Sequence, residues 1–289
     1  MSKSSSSTYV VTGATGNIGA LVVERLIARG DRPRIFVRDA AKAHAKFGDR
    51  VDIVVGDLSD PDSLARALAG ATAALLVTSG PNLAELDASA ARVTQQANLG
   101  LLVKLSSLDA RHGVGTGVWH ARGELAIRDS GVAHTFVQPT GFMSNALYWA
   151  RGIRDAGVVR SATGDGAIPF VHPDDIADVC VTALTTRAHL GAALPLTGPT
   201  ALSYAEMAAQ IGAALDRPLR WEAMSDDDTR RQQGAWGAEP AMVDARLSIF
   251  RAIREGQLAE VTDTVARVLG RPPKTFAQWA HDHAAAFRG

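Results

Sequence analysis

The sequence predicts an α/β chain built on a doubly wound parallel sheet, with a smaller, mainly helical lobe. Three observations carry that expectation. Short apolar runs alternate with longer stretches of helical spacing through the first half. The apolar runs are continuous rather than alternating, as strands covered on both faces require. The first run leads directly into a glycine-rich turn that opens a helix.

In order, the strands fall at Tyr9–Thr12, Arg34–Val37, Val51–Val55, Ala73–Thr78, Leu101–Leu105 and Thr135–Gln138. The helices between them fall at Ile18–Arg29, Asp39–Phe47, Pro61–Ala69, Asn82–Asn98 and Trp119–Asp129. In the first helix Ile18, Val22 and Leu26, with Leu21 and Ile27 beside them, mark one apolar face. Gly30 ends it and Pro33 leads into the next strand. The regularity stops near Pro139. Ser144–Asp155 reads as a helix bearing Tyr148 and Trp149, Ala162–Ala167 as a loop and Phe170–Val171 as a short strand. Pro173–Thr185 reads as a helix and Leu194–Leu196 as a last sheet strand. Beyond Gly198 the pattern is mostly helical, with capping boxes at Ser203–Glu206 and Thr275–Gln278 and a helix stop at Gly270-Arg271-Pro272-Pro273. The expected organisation is a sheet domain over 8–139, completed by about 168–197, and a lobe from 140–167 and 198–289. A flexible Ser-rich terminus covers 1–7.

The 289 residues are enough for about two domains and for a core that needs no staples. Lys and Arg number 30, as do Asp and Glu, so the formal net charge is zero. That balance speaks against a nucleic-acid or membrane-surface binder. Cys180 is the single cysteine, which excludes an intramolecular disulfide framework and a Cys-based zinc site. It lies in the apolar stretch Ile176–Leu184, where a thiol is buried and inert. His281 and His283 are two apart and face different sides of a helix, so no metal site is expected. No apolar run reaches 18 residues, and no apolar segment of the secretory type follows the serines. A cytoplasmic protein is the default expectation.

The loop Gly13-Ala14-Thr15-Gly16-Asn17-Ile18-Gly19 sits at the first strand-to-helix turn. Such a turn needs residues without Cβ, and a pyrophosphate needs close backbone approach and the free N–H groups of a helix start. In this context the glycine spacing predicts a Rossmann dinucleotide site. After the second strand comes Arg38, with Lys42 one turn further on and Asp39 between them. Two cations there suit a 2′-phosphate, so NADPH (NADP+) is favoured over NADH, which is not excluded. Asp57 ends the third strand, where it can accept from an adenine amino group with Leu58 packed on the ring; a turn or cap role before Pro61 is the alternative. Thr78, Ser79 and Gly80 end the fourth strand with small residues that let a nucleotide pass.

These residues resemble the NmrA-like, atypical short-chain dehydrogenase/reductase family, in its quinone and triphenylmethane-dye reductase branch. The markers are 11–19, Gly56-Asp57-Leu58, 78–81, Val103-Lys104-Leu105-Ser106-Ser107, 135–145 and Asp174-Asp175-Ile176-Ala177-Asp178-Val179. The resemblance implies a nicotinamide near Leu105, Ser106, Pro139, Thr140 and Phe142, with substrate entering between the lobes. The wider superfamily carries Tyr-x-x-x-Lys as its acid/base pair. Here His120 stands at the Tyr place and Glu124 at the Lys place, and Gln138 stands where many members have Arg.

His120 and Glu124 share a helix face at i and i+4, and a carboxylate beside an imidazole raises its pKa. Such a His could protonate a reduced acceptor, with Ser106 and Ser107 as competing donors. Lys104 is either buried against a charge or turned outward at the sheet margin. Phe142, Met143, Asn145, Trp149, Phe170 and Trp236 are candidate walls for a flat substrate. His172 precedes a helix start that Asp174 or Asp175 would cap. The expectation is an NADPH-dependent reductase of a quinone-like or conjugated carbonyl compound, with no nucleic acid or membrane partner and a homo-oligomer allowed. The alternatives are a non-catalytic NADP(H) redox sensor and a biosynthetic enzyme using its cofactor in a redox-neutral step.

Overall fold

The computed structural model describes residues 8–288, so the expectation for 1–7 lies outside the described residues. The first half alternates as expected: β1 (Tyr9–Thr12), α1 (Asn17–Ala28), β2 (Arg34–Val37), α2 (Ala40–Phe47), β3 (Asp52–Val55), α3 (Pro61–Leu68) and β4 (Ala73–Val77). There follow α4 (Leu83–Gln96), β5 (Leu102–Leu105), α5 (Asp109–His112), α6 (Gly117–Asp129) and β6 (His134–Pro139). The second half holds α7 (Ala150–Ala156), β7 (Val158–Ser161), β8 (Ala167–Ile168), α8 (Pro173–Thr185), β9 (Ala193–Leu196) and β10 (Leu202–Ser203). The chain ends with α9 (Tyr204–Ala214), β11 (Arg220–Ala223), α10 (Asp226–Ala235), α11 (Pro240–Arg254), α12 (Thr264–Leu269) and α13 (Phe276–Asp282).

Seven strands form one sheet in the order β3-β2-β1-β4-β5-β6-β9, and the pairs from β3 through β6 are parallel. This is the doubly wound order, with its switch point between β1 and β4. Ligands of such sheets lie outside the carboxyl ends of the strands at that crevice, which is where the glycine turn sits. β1 and β5 are buried along their whole length. β3 departs from the expectation of burial on both sides: its Asp52 and Val55 are exposed because it is the sheet edge.

Two compact units divide the chain. One takes in the described residues through Ser106, with Trp119–Gln138 and Ile176–Leu194; the other takes in Ser107–Val118, Pro139–Asp175 and the chain from Pro195 on. Two capping boxes stand where expected, at Ser203 with Glu206 and Thr275 with Gln278. The second unit is less purely helical than its sequence suggests. β8 pairs with β10 antiparallel and β7 pairs with β11 parallel. These strands are two to four residues long, too short for any period to show. The expected strand at Phe170–Val171 is a single bridge from Val171 to Phe142, and the regular strand falls earlier, at β8. The expected helix at Ser144–Asp155 is a 3-10 turn over Met143–Trp149 running into α7.

Candidate functional site

The glycine turn is shaped by backbone approach. Gly13 has φ +60°, and a Cβ there would lie 2.9 Å from Val77 Cβ. A Cβ on Gly19 would lie 2.2 Å from the Gly13 carbonyl oxygen. Gly16 caps α1 without any side chain, and its N–H donates to Gly13 O at 2.9 Å. The first turn of α1 holds no acidic residue. The helix therefore offers its free N–H groups and positive end to an anion, with no side chain in the way. This cradle fits the pyrophosphate of a dinucleotide. Thr15 is half-buried, Ile18 is buried, and Asn17 is exposed at the helix start.

Arg38 and Lys42 are both exposed beyond β2. Asp39 between them caps α2, its carboxylate accepting from the Lys42 backbone N–H at 2.9 Å. Asp57 makes a turn: it accepts from the Ser59 N–H and hydroxyl at 2.9 and 2.7 Å. Those bonds, with Arg38 nearby, hold its carboxyl below the usual range. The cap of α3 is Asp60, not Asp57. Leu58 is half-buried. Ser79 is exposed and Gly80 has φ +93°. Thr78, expected among the small residues that let a nucleotide pass, has its hydroxyl engaged within the chain. It is buried, donates to Asp87 Oδ1 at 2.8 Å and accepts from Lys104 Nζ at 2.5 Å.

Glu124 organises the other half of the site. Its Oε1 accepts from Ser106 Oγ at 2.6 Å and from Gln138 Nε2 at 2.7 Å. Its Oε2 accepts from Arg128 at 2.9 Å, and the same guanidinium covers the Phe136 ring. β5, β6 and α6 thus converge on one buried carboxylate. The expected His120–Glu124 partnership is replaced by these three. Burial, aided by the Lys104 charge, pushes His120 down to about 3, opposite to the expected rise. Its Nδ1 is buried without a hydrogen-bond partner. Of the two readings for Lys104 the buried one holds, with its ammonium 3.3 Å from Asp87 Oδ2.

Ser107 accepts from the Asp109 backbone N–H at 3.2 Å, and its hydroxyl bonds the Asp109 carboxyl. Burial pushes that carboxyl up to about 6 in spite of the serine. The folded chain therefore holds a proton that the unfolded chain releases at lower pH. This contribution to stability is complete below about pH 4 and is lost as pH rises through about 6. Asp109→Asn is expected to raise unfolding stability near neutral pH by up to about 3 kcal/mol, with no gain near pH 4. Urea titrations at the two pH values check it.

The second unit holds a cavity of about 250 Å³ lined by Met143, Phe170, Pro199, Leu202, Gln210 and Phe276, among others. Two of the six expected substrate residues, Met143 and Phe170, line it. Phe142 is half-buried beside its bridge to Val171, and Trp149 packs on Tyr204 at 4.9 Å between ring centroids. Asn145 and Trp236 are exposed. Pro139 and Thr140 are buried, the latter donating its N–H to Leu196 O. His172, not an aspartate, meets the start of α8, accepting from the Asp174 N–H at 3.0 Å. Asp175 is instead buried against Arg271 at 2.7 Å. Cys180 is buried, its thiol pushed up to about 12 by burial. Among the described residues no cluster of three His, Cys, Asp or Glu could hold a metal ion, and no helix is long and apolar enough to cross a membrane.

Comparison with known proteins bears directly on the glycine cradle. A family model described as NAD(P)H-binding matches residues 13–187. The chain is 37% identical to an NAD(P)H azoreductase of Xenophilus azovorans over 96% of its length and 98% of the relative's. It is 40% identical to a (4-alkanoyl-5-oxo-2,5-dihydrofuran-3-yl)methyl phosphate reductase of Streptomyces griseus, again over 96% and 98%. Its fold matches a solved NADPH-dependent quinone oxidoreductase of Escherichia coli with a TM-score of 0.86, at 24% identity, covering 95% of this chain and 99% of that one. The chain belongs to the NAD(P)H-binding family, in the NmrA-like branch of the atypical short-chain dehydrogenases and reductases.

Proposed function

We propose that this chain is an NADPH-dependent reductase of conjugated acceptors: quinone, azo or α,β-unsaturated carbonyl compounds. One observation carries the choice of acceptor. The proton donors that a simple ketone would need are engaged or disarmed. Ser106 gives its hydrogen to Glu124, Ser107 gives its own to Asp109, and His120 is neutral throughout the physiological range. An alkoxide forming on an isolated carbonyl would meet no strong acid there. A conjugated acceptor spreads the new charge over several atoms, so its proton can arrive later from water. Two relatives support this reading, one named an azoreductase and the other named for reduction of an unsaturated ring carbonyl compound.

When bound, the reduced nicotinamide supplies the hydride. The chain's own residues do the rest. Gly13, Gly16 and Gly19 admit the pyrophosphate, and Arg38 with Lys42 holds the 2′-phosphate. Ser106, its proton committed to Glu124, presents lone pairs and so accepts from a ligand N–H. His120 in its neutral form donates a hydrogen bond toward developing negative charge without being consumed as an acid. Met143 and Phe170 contribute apolar wall to the substrate.

Three measurements test this. With a quinone, an azo dye and an unsaturated lactone, NADPH should be consumed in proportion to acceptor reduced, while simple ketones should be inert. Arg38→Ala should weaken NADPH by about tenfold or more and leave NADH binding unchanged; equal losses would remove Arg38 from the 2′-phosphate. Across about pH 5 to pH 8 the rate should show no inflection belonging to an imidazole. Comparing pH–rate profiles of wild type and His120→Gln checks that.

A further inference from the structure

Lys104 has no task in the chemistry above, yet it is among the largest fully buried side chains. It projects from β5 two residues before Ser106. Its ammonium bonds Thr78 at 2.5 Å and pairs with Asp87 of α4 at 3.3 Å. Thr78 closes the triangle through Asp87 Oδ1 at 2.8 Å. The end of β4, the middle of α4 and β5 therefore meet at one ion pair. α6 meets it too: a Cβ on Gly123 would lie 2.2 Å from Asp87 Oδ2. The backbone of α6 rests on that carboxylate, and Gly123 stands three residues after His120 and one before Glu124.

We propose that Lys104 is a positioning residue: through Asp87 and Gly123 it seats α6, so that Glu124 meets Ser106 and His120 lies in the field of a buried cation. The charged groups of the packed elements are Lys104 from β5, Asp87 from α4 and Glu124 on α6 itself. Both carboxylates attract Lys104. Of the charges, Lys104 is the one that acts on His120, adding to the effect of burial and opposing a proton on the ring. Without this cation the imidazole would gain affinity for a proton. Lys104 therefore adds to the burial that holds His120 a neutral hydrogen-bond donor. The catalytic consequence rests on the reductase reading; the electrostatic one does not.

The test is an NMR pH titration of the cofactor-free protein, with the His120 signal identified by its loss in His120→Gln. In wild type, His120 should stay neutral down to the lowest pH at which the fold survives. In Lys104→Met/Asp87→Leu its midpoint should rise by about one pH unit or more. Lys104→Gln/Asp87→Asn removes both charges at nearly constant volume and carries the same expectation if the first variant does not fold. Lys104→Arg keeps the cation and should keep the ring neutral. In the charge-free variants kcat should fall about tenfold while NADPH affinity stays within about twofold. A His120 midpoint that is the same with and without the pair overturns the assignment. If wild type reduces no acceptor, the reductase reading fails and the titration still decides on Lys104.

Discussion

Gly19→Ala should cost NADPH binding about 100-fold, roughly 2.8 kcal/mol. The added methyl would lie 2.2 Å from the carbonyl oxygen of Gly13, 2.7 Å from its carbon and 3.1 Å from the Ala14 Cα. All three atoms are backbone, so no side chain can swing aside. The first turn of α1 must move away from β1, and the bond from Gly16 N–H to Gly13 O at 2.9 Å goes with it. That bond holds the turn whose N–H groups face the pyrophosphate. Gly234→Ala in α10 is the control. Nothing lies within 4 Å of its added methyl, and alanine there should stabilise the helix by about 0.5–1 kcal/mol with NADPH affinity unchanged. Isothermal calorimetry on both variants checks the pair of expectations. Equal affinity for Gly19→Ala would mean that the turn does not seat the cofactor.

Lys104→Met should be the most destabilising single change at the site, by about 3–5 kcal/mol. It strips the partner from Asp87, whose side chain is wholly buried with Lys104. Burial already pushes the Asp87 carboxyl up and the Lys104 ammonium down, since each charge is costly there without the other. Lys104→Met/Asp87→Leu should recover most of the loss, because apolar groups of similar volume replace a buried pair at little or no cost. Urea unfolding of the single and double variants measures the difference. Equal destabilisation of both would show that packing, not charge pairing, dominates at this position.

The glycine turn was legible because its demands are local. Gly13, Gly16 and Gly19 stand within seven residues, and strand, turn and helix all appear in the same stretch of text. The parallel sheet followed from alternation. Glu124 was only half legible. Spacing on α6 suggests His120 as its partner, but a helix neighbour at i+4 is a weak attraction beside hydrogen bonds from Ser106 and Gln138, which lie 18 and 14 residues away in sequence. Its i+4 partner is downstream, Arg128. The sign of the His120 shift was misread for the same reason. Burial decides it, and the charge that adds to burial, Lys104, comes from β5, far from α6 in sequence. A lysine inside the apolar run Leu102–Leu105 was the available signal: a cation in a strand covered on both faces requires a buried anion, and α4 supplies Asp87. The short strands β7, β8, β10 and β11 left no trace, because two to four residues cannot display a period of two.

Hydride transfer from NADPH to a conjugated acceptor is tested most directly by following the loss of reduced-nicotinamide absorbance together with reduced product, using a quinone, an azo dye and a simple ketone in parallel. The expected result is NADPH consumed in step with reduction of the quinone or the dye, with the ketone untouched. NADPH that binds tightly but is not consumed with any acceptor, or product that forms without net loss of NADPH, would contradict it.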